Sequence, residues 1–264
     1  MNNWLLSGVF AVGIVLTFTG LFFFLVTRGA LVMRGLSAGE HSDKAHVYPI
    51  YSNMRLIKLV DFQPVISAIL LFQYHSLVSR IVAGIGQMDL RNKKVLITSC
   101  AFGNVIPRVV KAAIQSGAER VMIADIIHNE LVHAESKLGN YADRVDYIED
   151  NATAMNQAAG FADANIMFFL LHELPHPLKG QAMKEAGRML APGGTLFLAE
   201  FHRPELWVLR ALSWTYFKVF EPLGLALWDT HDPLDFLQNS GEWKCERTTF
   251  LCGNFQLITA TKKH

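Results

Sequence analysis

Cysteine is scarce. Cys100, Cys245 and Cys252 sit at unrelated spacings in 264 residues and make neither a disulfide framework nor a paired Cys-x-x-Cys metal site, so a reducing compartment fits best. Charge of one sign is lacking too. Lys and Arg number 24 against 23 Asp and Glu, a formal net of +1. No large field exists to gather a polyanion, which removes the electrostatic support for general nucleic-acid binding. Repeats and low-complexity tracts are absent. Apolar residues are what the chain has in quantity, 51% hydrophobic against 18% charged. That balance excludes a disordered chain and points either to an α/β core or to membrane contact. The length is enough for one mid-sized domain with a few dozen residues to spare.

The apolar excess is concentrated at the start. Trp4 to Val26 carries no charge, and only Ser7, Thr17 and Thr19 break it. As a helix it reaches about 34 Å against about 30 Å of hydrocarbon, long enough to cross a bilayer. Arg28 and Arg34 follow it while Met1-Asn2-Asn3 precedes it without a cation. The positive-inside rule then leaves the remainder in the cytoplasm, anchored to the inner membrane by a single pass. A cleaved signal peptide fits less well, since its apolar region would be too long and its basic leader is missing. The expected organisation is an anchor over 1–34, a linker and amphipathic helical cap over 35–92, and an α/β domain over 93–264. Within the cap, Phe62 to Ala83 is apolar but interrupted by Gln63, Pro64, Gln73, His75 and Arg80. We expect one amphipathic helix there, packed on the domain or lying at the bilayer surface, with a true second crossing as the alternative.

From Lys93 onward short apolar runs alternate with helix-length segments. Strands are expected at 94–98, 120–125, 144–149, 165–171 and 194–200, the last after the Pro192-Gly193-Gly194 turn, with helices at 106–116, 129–138 and 178–190. Two more strands, 244–251 and 255–261, flank Cys252-Gly253-Asn254 as a hairpin. The alternation implies a mainly parallel sheet covered on both faces, with ligands beyond the carboxyl ends of its strands. Between the fifth strand and the hairpin lies an insertion, 204–228, rich in Trp and Phe. Beside a membrane anchor, such aromatics are candidates for a hydrophobic substrate entrance.

Several motifs sit at those carboxyl ends. Val95-Leu96-Ile97-Thr98-Ser99-Cys100-Ala101-Phe102-Gly103 runs from a strand into a helix. Small residues at such a turn let backbone N–H groups approach a ligand. Asp125 ends the second strand, about twenty residues later, followed by Ile126, and Glu149-Asp150-Asn151-Ala152 follows the third. Leu171-His172-Glu173-Leu174-Pro175 and Ala186-Gly187-Arg188-Met189-Leu190-Ala191-Pro192-Gly193-Gly194-Thr195-Leu196 complete the set. Together these resemble the class I S-adenosylmethionine (SAM) methyltransferases, quinone-biosynthesis type, over roughly Lys93 to Lys262. The resemblance implies a Rossmann-like seven-stranded sheet, mainly parallel, with a C-terminal antiparallel hairpin. It also implies SAM held by Ser99, Cys100, Ala101 and Gly103 at its methionine end, by Asp125 at its ribose and by Asp150 or Asn151 at its adenine, with Ile126 a further cofactor-binding residue. The chain departs from the usual first motif, with Ile97 in place of the acid and Ser99 and Ala101 in place of two glycines.

The departures have a pattern of their own. Small-Cys-small-aromatic-Gly with Pro107-Arg108 beyond it, Phe201-His202-Arg203-Pro204, and Phe220-Glu221-Pro222 before Leu227-Trp228 are similar to the rhodoquinone-biosynthesis enzymes. That likeness implies exchange of a ubiquinone methoxy group for an amino group, with SAM as amino donor and a divalent metal such as Mn²⁺. It also implies a lipophilic quinone as substrate, the bilayer as its surroundings, and other quinone-biosynthesis proteins as partners. His172, Glu173 and His202 are then the expected catalytic residues. Two rivals stay open: an ordinary methyltransferase on a quinone or lipid, and a non-catalytic membrane subunit, for which Ile97, Ser99 and Ala101 speak. His172-Glu173-Leu174-Pro175-His176 also spells the zinc-protease signature, but Pro175 would break the helical turn that such a site requires.

Overall fold

The structure, a computed structural model, describes residues 8, 10, 12–22, 24–25, 51 and 53–264. Strands β1 (Val95–Thr98) and β2 (Val121–Asp125) are buried at every position, as parallel strands covered on both faces must be. Alternation along β1 sends Val95 and Ile97 into one core and Leu96 into the other. With β3 (Val145–Glu149), β4 (Ala162–Phe168), β5 (Leu190–Phe201), β6 (Trp243–Phe250) and β7 (Phe255–Lys262), they form one seven-stranded sheet. Its order is β3-β2-β1-β4-β5-β7-β6, parallel from β3 to β5, with β7 antiparallel to both β5 and β6. This is the expected Rossmann-like architecture with its terminal hairpin. The order reverses between β1 and β4, which opens a cleft at their carboxyl ends.

The helices are α1 (Met54–Val60), α2 (Gln63–Ile69), α3 (Tyr74–Gly86), α4 (Val105–Gln115), α5 (His128–Ser136), α6 (His176–Met189), α7 (Trp207–Val219) and α8 (Pro233–Asn239). The single helix expected over 62–83 is two, bent by 98°. Leu71 N–H donates to Ala68 O at 3.0 Å and Phe72 N–H to Ser67 O at 2.6 Å, the pair of bonds that ends a helix in a left-handed turn. Beyond that corner α3 buries Tyr74, Leu77, Val78, Ile81 and Ile85, a helical stripe set against α4 in the core of the sheet. Gly84 permits the approach, since a Cβ there would lie 2.5 Å from the Phe197 ring.

Other boundaries moved for local reasons. β4 stops at Phe168 because Phe169 takes a positive φ of 55° and leaves the extended region. β5 begins before Pro192-Gly193-Gly194: the expected turn is an irregularity inside the strand, where pairing with β4 jumps from Ala162↔Leu190 to Ala164↔Thr195. The final hairpin closes through Leu251–Asn254, with Leu251, Cys252 and Gly253 all at positive φ. At the start of the chain, Val12–Phe22 is an apolar helix, and no single helix among the described residues is long and apolar enough to cross a membrane. The remaining residues of the expected 1–34 anchor, and residues 35–50 and 52 of the expected linker and cap, lie outside the described ones.

Candidate active site

The β1–α4 loop is shaped by an acid on the next strand. Asp125 Oδ2 accepts from Cys100 N–H at 2.6 Å and Ser99 Oγ at 3.2 Å, while Oδ1 accepts from Ile127 N–H at 2.8 Å. Held this way, Ser99 adopts a positive φ of 71° where the related motif has glycine. Burial raises the Asp125 carboxyl above its usual range. Gly103 is held from the other side. Its N–H donates to Asp61 Oδ1, and a Cβ there would fall on the Tyr74 hydroxyl. Asp61 Oδ2 also takes His133 Nε2 at 2.7 Å and Lys137 Nζ at 3.1 Å, and Lys137 reaches Gly103 O at 2.9 Å. The helices ahead of the sheet are therefore bolted onto the loop, a role for Asp61, Lys137 and Tyr74 that no spacing in the sequence signals.

The loop forms one wall of a pocket with about 930 Å³ of atom-free space, partly open to solvent. Ser99, Cys100, Ala101 and Phe102 face it. Val60, Ile66, Ile69 and Leu70 close it from above, and Phe168, Phe169, Phe201 and Tyr216 give it an aromatic floor. His172, Glu173 and Glu221 are the imidazole and carboxyl groups of its lining, and Tyr51 lines it too.

His172 and Glu173 sit on a single 3-10 turn, Leu171–Glu173, just past β4. Lys179, buried on α6, grips that turn by donating to Leu171 O at 2.5 Å and Leu174 O at 2.6 Å. Burial pulls the Lys179 ammonium down to about 8. The His172 ring lies edge-on to Phe201, with centroids 5.0 Å apart, and its Nδ1 is 3.1 Å from Glu200 Oε1. Burial alone would disfavour the imidazolium, but Glu200 by charge and hydrogen bond, with Glu221 and Glu173, lifts its pKa to about 9. Glu173 moves up to about 7, chiefly through burial, although His172 and the hydrogen bond from Tyr51 Oη at 2.7 Å oppose the rise. Near neutral pH the pocket thus holds a proton donor and an adjacent carboxylate within reach of ionisation. Tyr51 stands 122 positions from Glu173, beyond any local pattern.

Not every expected residue is here. His202 is taken up by the hairpin: Nδ1–H donates to Gly253 O at 2.7 Å and Nε2 accepts from Arg247 at 3.2 Å, and it does not line the pocket. Gly103, Asp125, Ile126, Asp150 and Asn151 also lie off the pocket lining: Asp125 is buried with both oxygens taken by Ser99, Cys100 and Ile127, and Asp150 spends both of its own on its loop, taking Asn151 N–H, Asn156 N–H and Asn156 Nδ2 at 2.8–3.1 Å. Asn151 Oδ1 caps Thr153. Asp125, Ile126 and Asp150 nevertheless share one end of the sheet, with Asp150 N–H donating to Asp125 O at 2.9 Å and Ile126 41% exposed. Among the described residues no group of three or more His, Cys, Asp or Glu side chains converges as metal ligands, so the donor set does not fit the expected divalent cation. His176 starts α6 and stacks on His231 at 5.2 Å, away from His172, which removes the zinc-protease arrangement.

Residues 57–252 match the family model described as ubiE/COQ5 methyltransferase family. A relative named ubiquinone/menaquinone biosynthesis C-methyltransferase UbiE, from Pectobacterium atrosepticum, is 30% identical over 128 residues, 48% of this chain and 48% of its own. The relative of that name from Bartonella quintana is 27% identical over 161 residues, 60% of this chain and 61% of its own. The chain thus spans about half to three fifths of the length of these curated relatives. Among solved structures, an O-methyltransferase family protein from Burkholderia thailandensis aligns at a TM-score of 0.58 and 16% identity, over 81% of this chain and 61% of that one. The N-methyltransferase NodS from Bradyrhizobium japonicum, in complex with S-adenosyl-L-homocysteine, aligns at 0.56 and 13%, over 81% and 98%. These likenesses show the fold.

Proposed function

Because the chain belongs to the ubiE/COQ5 methyltransferase family, we propose that it is a SAM-dependent transferase acting on a membrane quinone. We further propose that its reaction is the rhodoquinone-type exchange of a ring methoxy group for an amino group. One observation carries this reading: His172 and Glu173, neighbours on one turn, differ in the charge they hold near neutral pH, an acid beside a base in an aromatic pocket.

The loop residues fit SAM. Ser99, Cys100 and Ala101 face the pocket, Asp125 stands beside them, and Ile126 offers an apolar surface at the sheet end. Bound there, SAM supplies the transferred group. In the ring exchange the carbon gains a bond to the donor's amino nitrogen as its bond to the methoxy oxygen breaks and methanol leaves: Glu173 as carboxylate would take the proton that nitrogen gives up, and His172 as imidazolium would give one to the oxygen. Freeing the amino group from its donor is a separate cleavage of the nitrogen–α-carbon bond, balanced by loss of a β-proton to base and gain of a proton by nitrogen. Glu200 holds the imidazole in that state, and Tyr51 orients Glu173. Phe169, Phe201 and Tyr216 provide flat apolar surfaces for a quinone ring. Residues 4–26 would tether the domain on the cytoplasmic side of the inner membrane, where a lipophilic quinone resides and where other quinone-biosynthesis proteins would meet it.

C-methylation is the second reading, favoured by the curated relatives, which are named C-methyltransferases. It calls on the base alone. Mass spectrometry of the quinone after incubation of detergent-solubilised full chain with SAM, Mn²⁺ and either ubiquinone or a quinone that keeps one ring C–H, each component omitted in turn, separates the two, since C-methylation needs a ring hydrogen to replace and the exchange needs a methoxy group. Amination in place of methoxy lowers the mass, whereas methylation raises it. Unchanged quinone together with no SAM binding by calorimetry would overturn both and leave a non-catalytic subunit.

A further inference from the structure

Two segments that border the pocket carry apolar side chains that the fold leaves uncovered. On one side are Leu59, Phe62, Leu71 and Phe72, and on the other Leu206, Trp207, Leu212 and Trp214. The same two segments supply Ile66, Ile69 and Leu70, and Tyr216, to the pocket wall. The uncovered groups therefore flank its rim.

The corner between α2 and α3 is the most telling feature. Leu71 and Phe72 both take left-handed backbone angles, φ 47° and 61°, at a helix end where glycine would sit without strain. Phe72 is 76% exposed and Trp207 77%, so the strained corner holds bulky apolar groups out of the fold instead of packing them. Strain kept at an exposed site is a pointer to function. Charge follows the same segments. Residues 53–87 and 203–220 contain Arg55, Lys58, Arg80, Arg203, Arg210 and Lys218, against Glu205 as the exposed acid within them and Asp229 as a second beside Trp207 and Trp214, in a chain of net +1. The other acid there, Asp61, is buried in its bonds to Gly103, His133 and Lys137. Arg203 pairs with Asp229, and Lys218 lies 5.5 Å from the centre of the Trp214 ring. Tryptophan with lysine and arginine around an apolar patch is the composition that settles at a lipid–water interface, and the basic excess selects anionic headgroups.

We propose that this rim is a docking face for an anionic bilayer. The Leu71–Phe72 corner and the Trp207–Trp214 face of α7 enter the interface on either side of the pocket, so that an apolar substrate passes from lipid into the site along Ile66, Leu70 and Tyr216. The inference rests on the membrane-quinone reading for what enters, but not for the docking itself.

The test uses the full chain in phosphatidylcholine vesicles with and without phosphatidylglycerol, their acyl chains brominated or not. Tryptophan emission is read against a Trp207→Phe/Trp214→Phe chain, so that the difference reports those two rings. The expected result is that brominated lipid quenches most of that difference emission, more strongly with phosphatidylglycerol, and that Leu71→Gly and Phe72→Ser each lose much of the quenching. Leu71→Gly relaxes the left-handed corner and is expected to raise Tm, which separates lost docking from lost folding. Emission that ignores brominated lipid while the chain stays on vesicles through its N-terminal segment would overturn the proposal, as would crosslinking of Trp207 to a second copy or another protein. Product formation is read separately, by quinone mass. Quenching without turnover leaves the docking face and removes the quinone chemistry, and turnover without quenching does the reverse.

Discussion

Glu200→Gln removes the charge that keeps His172 protonated and leaves an amide of nearly the same shape. The His172 pKa of about 9, against 6.5 for an ordinary histidine, corresponds to a preference for the imidazolium on the order of 3 kcal/mol. Turnover needs Glu173 ionised, above about 7, and His172 protonated, below about 9. The rate of the parent is therefore expected to trace a bell, with the reactive combination in about four fifths of molecules at a pH of about 8. If the variant's imidazole returns only to 6.5, about 3% of molecules hold that combination at the same pH, a fall of about thirtyfold. Burial pushes it lower still. A pH–rate profile, with the His172 ring followed by NMR, reads both quantities. An alkaline limb still near 9 in the variant would refute the reasoning, since a merely structural role for Glu200 would lower the rate without moving the limb. The linkage has a definite sign. A histidine whose pKa rises on folding contributes stability in full below 6.5 and loses it as pH climbs through about 9, so the stability gap between parent and variant should close at high pH.

Asp125→Ala deletes the acceptor for Ser99, Cys100 and Ile127 together with the proposed ribose contact. SAM binding by calorimetry should weaken about tenfold to a hundredfold, the scale of hydrogen bonds to a charged group, and unchanged affinity would remove the ribose assignment. Gly103→Ala places a Cβ on Tyr74 at a φ of 83°, so a loss of about 2 kcal/mol or more, seen as a Tm several degrees lower, is expected. Tyr74→Phe should not restore it, because the ring carbon Cζ itself lies only 2.7 Å from that Cβ.

The strands were most legible where they are short apolar runs, as β1 and β2 are, and runs of that kind are local facts. Val95–Thr98 and Val121–Asp125 emerged within a residue of their expected bounds. Their errors were local too. The Phe169 twist ended β4 early, and the register jump beside Ala162 and Ala164 turned a Pro-Gly-Gly signal into an irregular stretch of strand. At the site, His172 and Glu173 were found because they follow a strand whose carboxyl end faces the cleft. His202 satisfied the same rule, yet Gly253 and Arg247, contributed by the hairpin, claimed its ring. Position at a strand end says where a side chain starts, and its neighbours say whether it is free to react.

Alternation, apolar runs and turn residues were enough by themselves to indicate a mainly parallel α/β sheet, the loop after β1 and the acid that ends β2, since these signals lie in residues close in sequence; the Rossmann-like arrangement was implied by the family resemblance. Tertiary structure alone decided the chemistry of the pocket. Tyr51 reaches Glu173 across 122 positions, Asp61 crosses 42 to hold Gly103, and the charge on His172 is set by Glu200 from the neighbouring strand. A pKa belongs to an environment, and the environment of a buried side chain is assembled from segments whose meeting no local pattern encodes.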